Sequence, residues 1–396
     1  MSFKEKIEKI QEDLGRDGLD GWLLYDFQGM NEHACHLLEL PLNTVYTRRL
    51  FYWIPRRGQP EAIVSKLQEC LYKHLPGKIH SYLNWHELEE SLGKVLKGRR
   101  RIAMEYSPRN GVPYVSRVDA GTMEVVKGFG VEVVSSSALL QRFNGVWDED
   151  KMRSHVEVAA IFEVIYKKAY LLISDYLSKG KTITEYEVLL FVMKEFIIYD
   201  CISEYNMIVA VNEHSVDPYF NVRKETAKSI KKGDYLLLSL SGKKNSVDTV
   251  YVDVARVAVA DTAPTPLQQE VFDLLKRARK AALKLMRDRF KSGDPLYGYE
   301  VDEVSREVIE KGGYGQYCTH RVGHNIDVFL HGSGTHLDNF EIRDTREILP
   351  GTCFALGPGI YIPGKFGMRV ENDIFVDKDR KVIMTTGDQQ EITCLL

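Results

Sequence analysis

No stretch of this chain reaches 18 apolar residues without a charge, so the sequence offers no membrane-spanning helix. Cysteine is sparse, six residues at 35, 70, 201, 318, 353 and 394 with no CxxC pair. Scattered in this way, they are expected as reduced, mostly buried thiols of a cytoplasmic protein. Positive charge is not in excess: the net charge is −3, which gives no global pull towards nucleic acid or an anionic membrane. The one basic run, "KGRRR" at 97–101, leads straight into "IAMEY" and reads as a solvated helix-to-strand turn. No low-complexity linker, no short repeat and no strand–GxGxxG–helix context is found, so the glycines read as turns rather than phosphate cradles.

What is present is the composition of an ordinary globular protein, 44% hydrophobic and 28% charged. A length of 396 residues favours two domains. The opening "MSFKEKIEKIQEDLG" places Phe3, Ile7, Ile10 and Leu14 on one helical face, unlike the apolar core of a signal peptide. Up to residue 148, strand-like runs such as "GWLLYD", "RLFYWIP" and "RRIAMEY" alternate with helical ones, predicting an α/β domain. Tyr25, Phe51, Tyr52 and Trp53 are expected in its core, and "SPRNGVP" at 107–113 as a turn. From 149 to 396 the spacing predicts a long helix to 178, then a helix with Thr184 and Glu187 in capping-box spacing. Strands "MIVAVN", "DYLLLSLSG" and "TVYVDVARVAVA" follow, with "GKKNSVD" (242–248) as a polar loop, then helices near 266–291 and 299–311. A β-rich end includes "FALGPGIYIPGKFGMRVENDIF", read as two strands around a Gly/Pro turn, with Gly357 in the first and Glu371 in the second. The pattern is α+β, a curved sheet backed by helices.

Chemistry concentrates in this second half. Four histidines, His320, His324, His331 and His336, fall within 17 residues. Asp253 and Glu371 stand among strand residues, where acids are disfavoured and need a reason. One Asp, one His and one Glu converging from three segments suit a divalent transition metal. The simpler alternative pairs Asp253 with Arg256 and Glu371 with Arg369.

The segments "HRVGHNIDVFLHG", "LPGTCFALGPGIY", "GMRVENDIFV" and "KKGDYLLLSLSG…VYVDVARV" resemble, in order and spacing, the aminopeptidase P/prolidase (Xaa-Pro peptidase) family. "RIAMEYSPRNGVPYVSRVDAG" is similar to the amino-terminal domain of a bacterial Xaa-Pro peptidase subgroup. The resemblance implies an α/β amino-terminal domain of creatinase/prolidase type plus an α+β carboxy-terminal pita-bread (creatinase/aminopeptidase-like) domain. It also implies a binuclear metal site of two Asp, one His and two Glu. By position, three ligands are kept as Asp253, His324 and Glu371, while the other two fall on Ser239 and Gly357. His331 and Arg369 are kept as further family site residues, and Tyr219 stands where the family has a histidine.

The resemblance therefore implies at most one divalent metal (Mn, Zn or Co), or none, and a loss of normal peptidase activity. A missing general base costs about 10²–10⁴-fold in rate. Neither Cys353 nor Ser241 is an expected substitute. Three alternatives stay open: an active mononuclear metallopeptidase on Xaa-Pro peptides, a metal-free creatinase-like C–N hydrolase, and a non-catalytic peptide- or protein-binding module. The metal-free route is weakened by Tyr219, a poor base at neutral pH, and His214 reads as a surface loop residue. The implied partners are a peptide or imidodipeptide in the cavity and a second copy of the chain, as a homodimer.

Overall fold

Capping residues open most of the longer helices of the structure, a computed structural model that describes residues 2–41, 44–246 and 248–396. Ser2 and Glu5 form a reciprocal capping box on α1 (Phe3–Arg16), which buries Ile7, Ile10 and Leu14. Met1 of the predicted helical stretch lies outside the described residues. Two units divide the chain, Met1–Asn144 and Gly145–Leu396.

The first unit is built on a six-stranded mixed sheet. Its strands are β1 (Gly21–Asp26), β2 (Leu50–Pro55), β3 (Glu61–Ser65), β4 (Lys78–Tyr82), β5 (Arg101–Met104) and β6 (Glu132–Ser135), in spatial order β4-β3-β2-β1-β5-β6. Alternation along β1 and β2 feeds two cores, Trp22, Leu24 and Tyr52 on one face and Leu23, Tyr25, Phe51 and Trp53 on the other. Under β1 lies a fully buried carboxylate, Glu105, which accepts from Trp22 Nε1 at 2.6 Å, Asn31 Nδ2 at 2.9 Å and Ser136 Oγ at 3.2 Å. Burial pushes it up to about 7, against those three donors. The folded chain thus keeps a proton that the unfolded chain releases near 4.5, so stability falls as pH rises through this window. In Glu105→Gln that part of the slope should vanish. The variant should also lose about 1–3 kcal/mol at pH 8, because its amide N–H₂ meets a donor. Denaturant melts between pH 5 and 8.5 check this; an unchanged slope contradicts it.

In the second unit, α2 (Glu149–Ser178) starts at the Asp148 cap and α3 (Glu185–Ile198) at the Thr184/Glu187 capping box. Next, α4 (Pro266–Ser292) begins with Pro266 in its first turn and stops at Gly293, whose φ of 82° suits glycine. The last long helix is α5 (Gly298–Lys311). A central antiparallel sheet contains β7 (Ile208–Val211), β8 (Tyr235–Lys244) and β9 (Val252–Val259), with β8 in the middle. Even-numbered Leu236, Leu238 and Leu240 face the core shared with α2 and α3. Tyr235 and Leu237, with Ala255, Val257 and Val259 opposite, face the core under α4. Continuing the same period, Ser239, Ser241 and Asp253 come out on the α4 side, with Ser241 directly across from Asp253. Apolar residues thus fix the sheet while three polar ones at its end open into a cavity.

Two sequence expectations need correction. The polar loop of 242–248 starts later: Gly242 pairs with Val252, and Lys243 and Lys244 with Ile202 and Cys201, so β8 runs to Lys244. Val247 of that loop lies outside the described residues. The segment 354–375 is not one hairpin. It passes through β11 (Thr352–Leu356), β12 (Gly359–Ile362), β13 (Phe366–Arg369) and β14 (Asn372–Val376). Strand β11 lies between β10 (Gly323–Ile326) and β14, whereas β12 and β13 pair with each other as a separate ribbon. Gly357 and Glu371 therefore sit where the chain leaves one sheet and returns to it, not inside strands. Glu371 N bonds Ala255 O at 3.2 Å, tying the two sheets together beside Asp253.

Candidate metal centre

Asp253, His324 and Glu371, from three separate segments, each offer a ligand atom within 4.8 Å of the others, and all three are buried. Of the alternative pairings, Arg256 turns away from Asp253. It pairs with Glu163, and its Nη1 holds the Glu371 carbonyl at 2.8 Å. Arg369 does pair with Glu371, Nε to Oε2 at 3.3 Å. Asp253 faces His324 Nε2 instead, at 3.3 Å.

His324 Nδ1 has a carbonyl partner, Asn325 O, at 3.3 Å. A carbonyl only accepts, so Nδ1 carries the proton and the Nε2 lone pair points at Asp253. Burial, then the Arg321 charge, hold His324 down to about 3, so it is neutral at ordinary pH. Burial pushes Asp253 up, against the pull of Arg369; burial and the neighbouring Asp253 push Glu371 up. A lone pair and two carboxylates thus converge with one guanidinium as their nearest cation. That donor set fits a divalent ion, with nitrogen and oxygen ligands suited to Mn, Zn or Co.

The two positions where the resemblance calls for acids are equally informative. Ser239 accepts from Arg369 Nη2 at 2.9 Å, so the hydroxyl is held by the guanidinium. A Cβ on Gly357 would lie 2.6 Å from Glu371 Oε1 and 2.8 Å from its Cβ. Glu371 therefore fills the space a side chain at Gly357 would need. Arg369 also donates to the Tyr361 hydroxyl at 3.4 Å, which itself donates to His320 Nε2 at 2.8 Å. His320 Nδ1–H bonds Arg321 O, which fixes that direction. Sequence reasoning missed this arm: Tyr361 was visible only as the end of "GPGIY", with nothing to say that it reaches Arg369.

The three-residue cluster lines, with Ser239, Gly357 and Arg369, a cavity of about 290 Å³, near the small end of ligand pockets (about 300–1,000 Å³). His331 is in its wall, with its ring centre 4.4 Å from that of His324. Tyr219 lines the same cavity and is 75% exposed. Ser241 lines the cavity, whereas Cys353 is buried in β11 outside its lining. His214 is not a free surface residue: its Nδ1 donates to the buried Glu185 at 2.9 Å, outside this cavity. His336 is buried nearby. Among the described residues, a larger, shallower groove of about 430 Å³ between α2 and Gly387–Leu395 holds no comparable cluster.

Residues 154–378 match metallopeptidase family M24, and the chain belongs to that family. The Xaa-Pro dipeptidase of Lactobacillus helveticus is 28% identical over 186 residues, 47% of this chain and 46% of that relative. The match thus spans about half of the relative's length. Dipeptidase PepE from Mycobacterium ulcerans has a TM-score of 0.79 at 17% identity, covering 99% of this chain and 98% of that one. The X-prolyl aminopeptidase of Caenorhabditis elegans, described as a cytosolic enzyme with a di-nuclear active site, has a TM-score of 0.68 at 16% identity. It covers 99% of this chain and 63% of that one. The fold is the pita-bread fold that the motifs implied, and among the described residues no helix is long and apolar enough to cross a membrane.

Metal affinity should depend on pH through the carboxylates rather than the histidine. Asp253 and Glu371, raised to about 6 and about 8, must lose a proton to coordinate, so affinity should fall as pH drops below about 8. His324, already neutral, adds nothing near its usual 6.5. Titrations of Zn²⁺ at pH 5.5 to 8, with proton release measured, check this; pH-independent binding contradicts it.

Proposed function

We propose that this chain is an Xaa-Pro dipeptidase-like member of its family with a reduced, mononuclear metal site. It binds an extended peptide or imidodipeptide and hydrolyses it slowly at most. The observation that carries this reading is the three-ligand cluster flanked by Ser239 and Gly357, at the positions where the resemblance calls for two more acids. Asp253 and Glu371 alone would make a poor second site, and Arg369 already holds Ser239 and Glu371.

A divalent ion, when bound, supplies Lewis-acid polarisation and a water of lowered pKa. The chain's own residues do the rest. Asp253, His324 and Glu371 hold the ion. Arg369 holds positive charge beside the carboxylates and orients the Tyr361 hydroxyl. His331 and Arg321 present nitrogen donors to a carbonyl or carboxylate in the cavity. What is missing is a carboxylate at position 357 to carry the proton to the leaving amine. Intact walls around a missing base also favour a second reading, a peptide-binding module without turnover.

An assay of an Xaa-Pro dipeptide with and without chelator tests the proposal. Slow turnover should be lost in chelator and in His324→Ala, while peptide binding persists. Turnover unaffected by chelator would move the assignment to metal-free hydrolysis. We also propose a cytoplasmic homodimer, on the family resemblance; light scattering after size exclusion tests the dimer.

A further inference from the structure

Only one face of α3 is covered by its own chain. Val188, Val192 and Phe196 enter the core shared with α2 and the central sheet. The opposite face is just as apolar and points outwards: Leu190 is 46% exposed, Met193 47%, Ile197 79% and Ile198 57%. Leu190, Met193 and Ile197 follow the spacing i, i+3, i+7 and so stand in one row along the helix. Half-buried Tyr186 extends the row by a turn at one end, and exposed Ile202 follows just past the other. A helix apolar all round is one that something encloses, and soluble chains seldom leave a row of this size to water.

Charge beside the row says what covers it. Glu187 and Lys194 are both exposed and seven residues apart, so they lie on the same edge of the row. Glu187 uses only Oε2 on Thr184, 2.8 Å from its N and its Oγ1. Lys194 has no ion pair within the chain among the described residues, whereas Lys168 holds Glu195. Pairing the row with itself about an antiparallel two-fold keeps like edges together. Leu190 then meets the partner's Met193, Tyr186 meets the partner's Ile197, and each Glu187 reaches the partner's Lys194, twice by symmetry. A parallel pairing would set this edge against the other one, which carries Leu189 and no charge, and would lose both ion pairs.

We propose that the outward face of α3 is the surface on which two copies of this chain pair, α3 against α3 and antiparallel. The inference rests on the homodimer reading above, which names no surface. The apolar row forms the dry centre of the contact, and the Glu187–Lys194 pairs lie on its rim, where they fix direction more than affinity.

Sedimentation equilibrium over a range of concentrations would compare the unmodified chain with Met193→Glu, Ile197→Glu and Lys194→Glu, with circular dichroism as the check on folding. Expected is a mass of two chains for the parent and of one chain for Met193→Glu and Ile197→Glu, with unchanged dichroism. Lys194→Glu should weaken association about 2–30-fold, the scale of two lost surface pairs. Because Lys194 lies on an exposed edge, this variant still reads the contact should either of the other two unfold. Association as tight as the parent's in the folded variants would overturn the α3 contact and leave the homodimer standing on another surface. A parent that sediments as one chain at every concentration would remove the homodimer and the contact with it.

Discussion

Ser239→Asp combined with Gly357→Glu should raise bound metal from one to two equivalents per chain and speed Xaa-Pro hydrolysis about 10²–10⁴-fold, the scale of a restored general base. Neither replacement is free of cost. Ser239 faces the cavity next to Arg369, so an Asp there first forms an ion pair with that guanidinium. Gly357 has ordinary backbone geometry but no room: its Cβ would meet Glu371 at 2.6–2.8 Å. Glu371 has to rotate away, and Gly357→Glu alone also sets two buried carboxylates against each other. The single variant should therefore be destabilised without metal, and the double variant should recover when metal is added. If the double variant folds but binds no second ion, the correspondence of Ser239 and Gly357 with metal ligands is wrong.

The second large effect is on stability. Arg369 pairs with the Glu371 carboxylate at 3.3 Å, and, against burial, Tyr361 and then Glu371 and Asp253 push its own pKa upwards. Removing one partner of a buried ion pair costs about 3–5 kcal/mol, because the remaining charge is left uncompensated. Above about pH 8, where Glu371 and Asp253 are both ionised, Arg369→Ala should lose that much in chelator. A divalent ion should restore a large part of it by supplying the missing positive charge. Thermal melts with and without Zn²⁺ separate the two conditions. A variant as stable as the parent in chelator would mean that the carboxylates are protonated and do not need the arginine.

How legible was this in the sequence? Alternation in "DYLLLSLSG" and "TVYVDVARV" showed strands, and the same period puts Ser239, Ser241 and Asp253 on one face. The Thr184/Glu187 capping box and the Thr265–Pro266 start of α4 are local chemistry, readable from a few residues. The 354–375 segment reads as one strand–turn–strand because strand propensity does not tell which partner a strand takes. β12 pairs locally with β13, from Ile362–Phe366 outwards, whereas β11 pairs with β14 around that ribbon, from Leu356–Asn372 to Thr352–Val376. The motif marks Gly357 as a position where the resemblance calls for an acid, but not that Glu371 lies against it. The hydroxyl relay from His320 through Tyr361 to Arg369 was equally hidden, since its members are 8 to 49 residues apart.

Bound metal per chain is the most direct measurement. Elemental analysis after dialysis against Zn²⁺ or Mn²⁺ and removal of free ion should give about one equivalent, lost in His324→Ala. Two equivalents, or none, in the unmodified chain would contradict the mononuclear site.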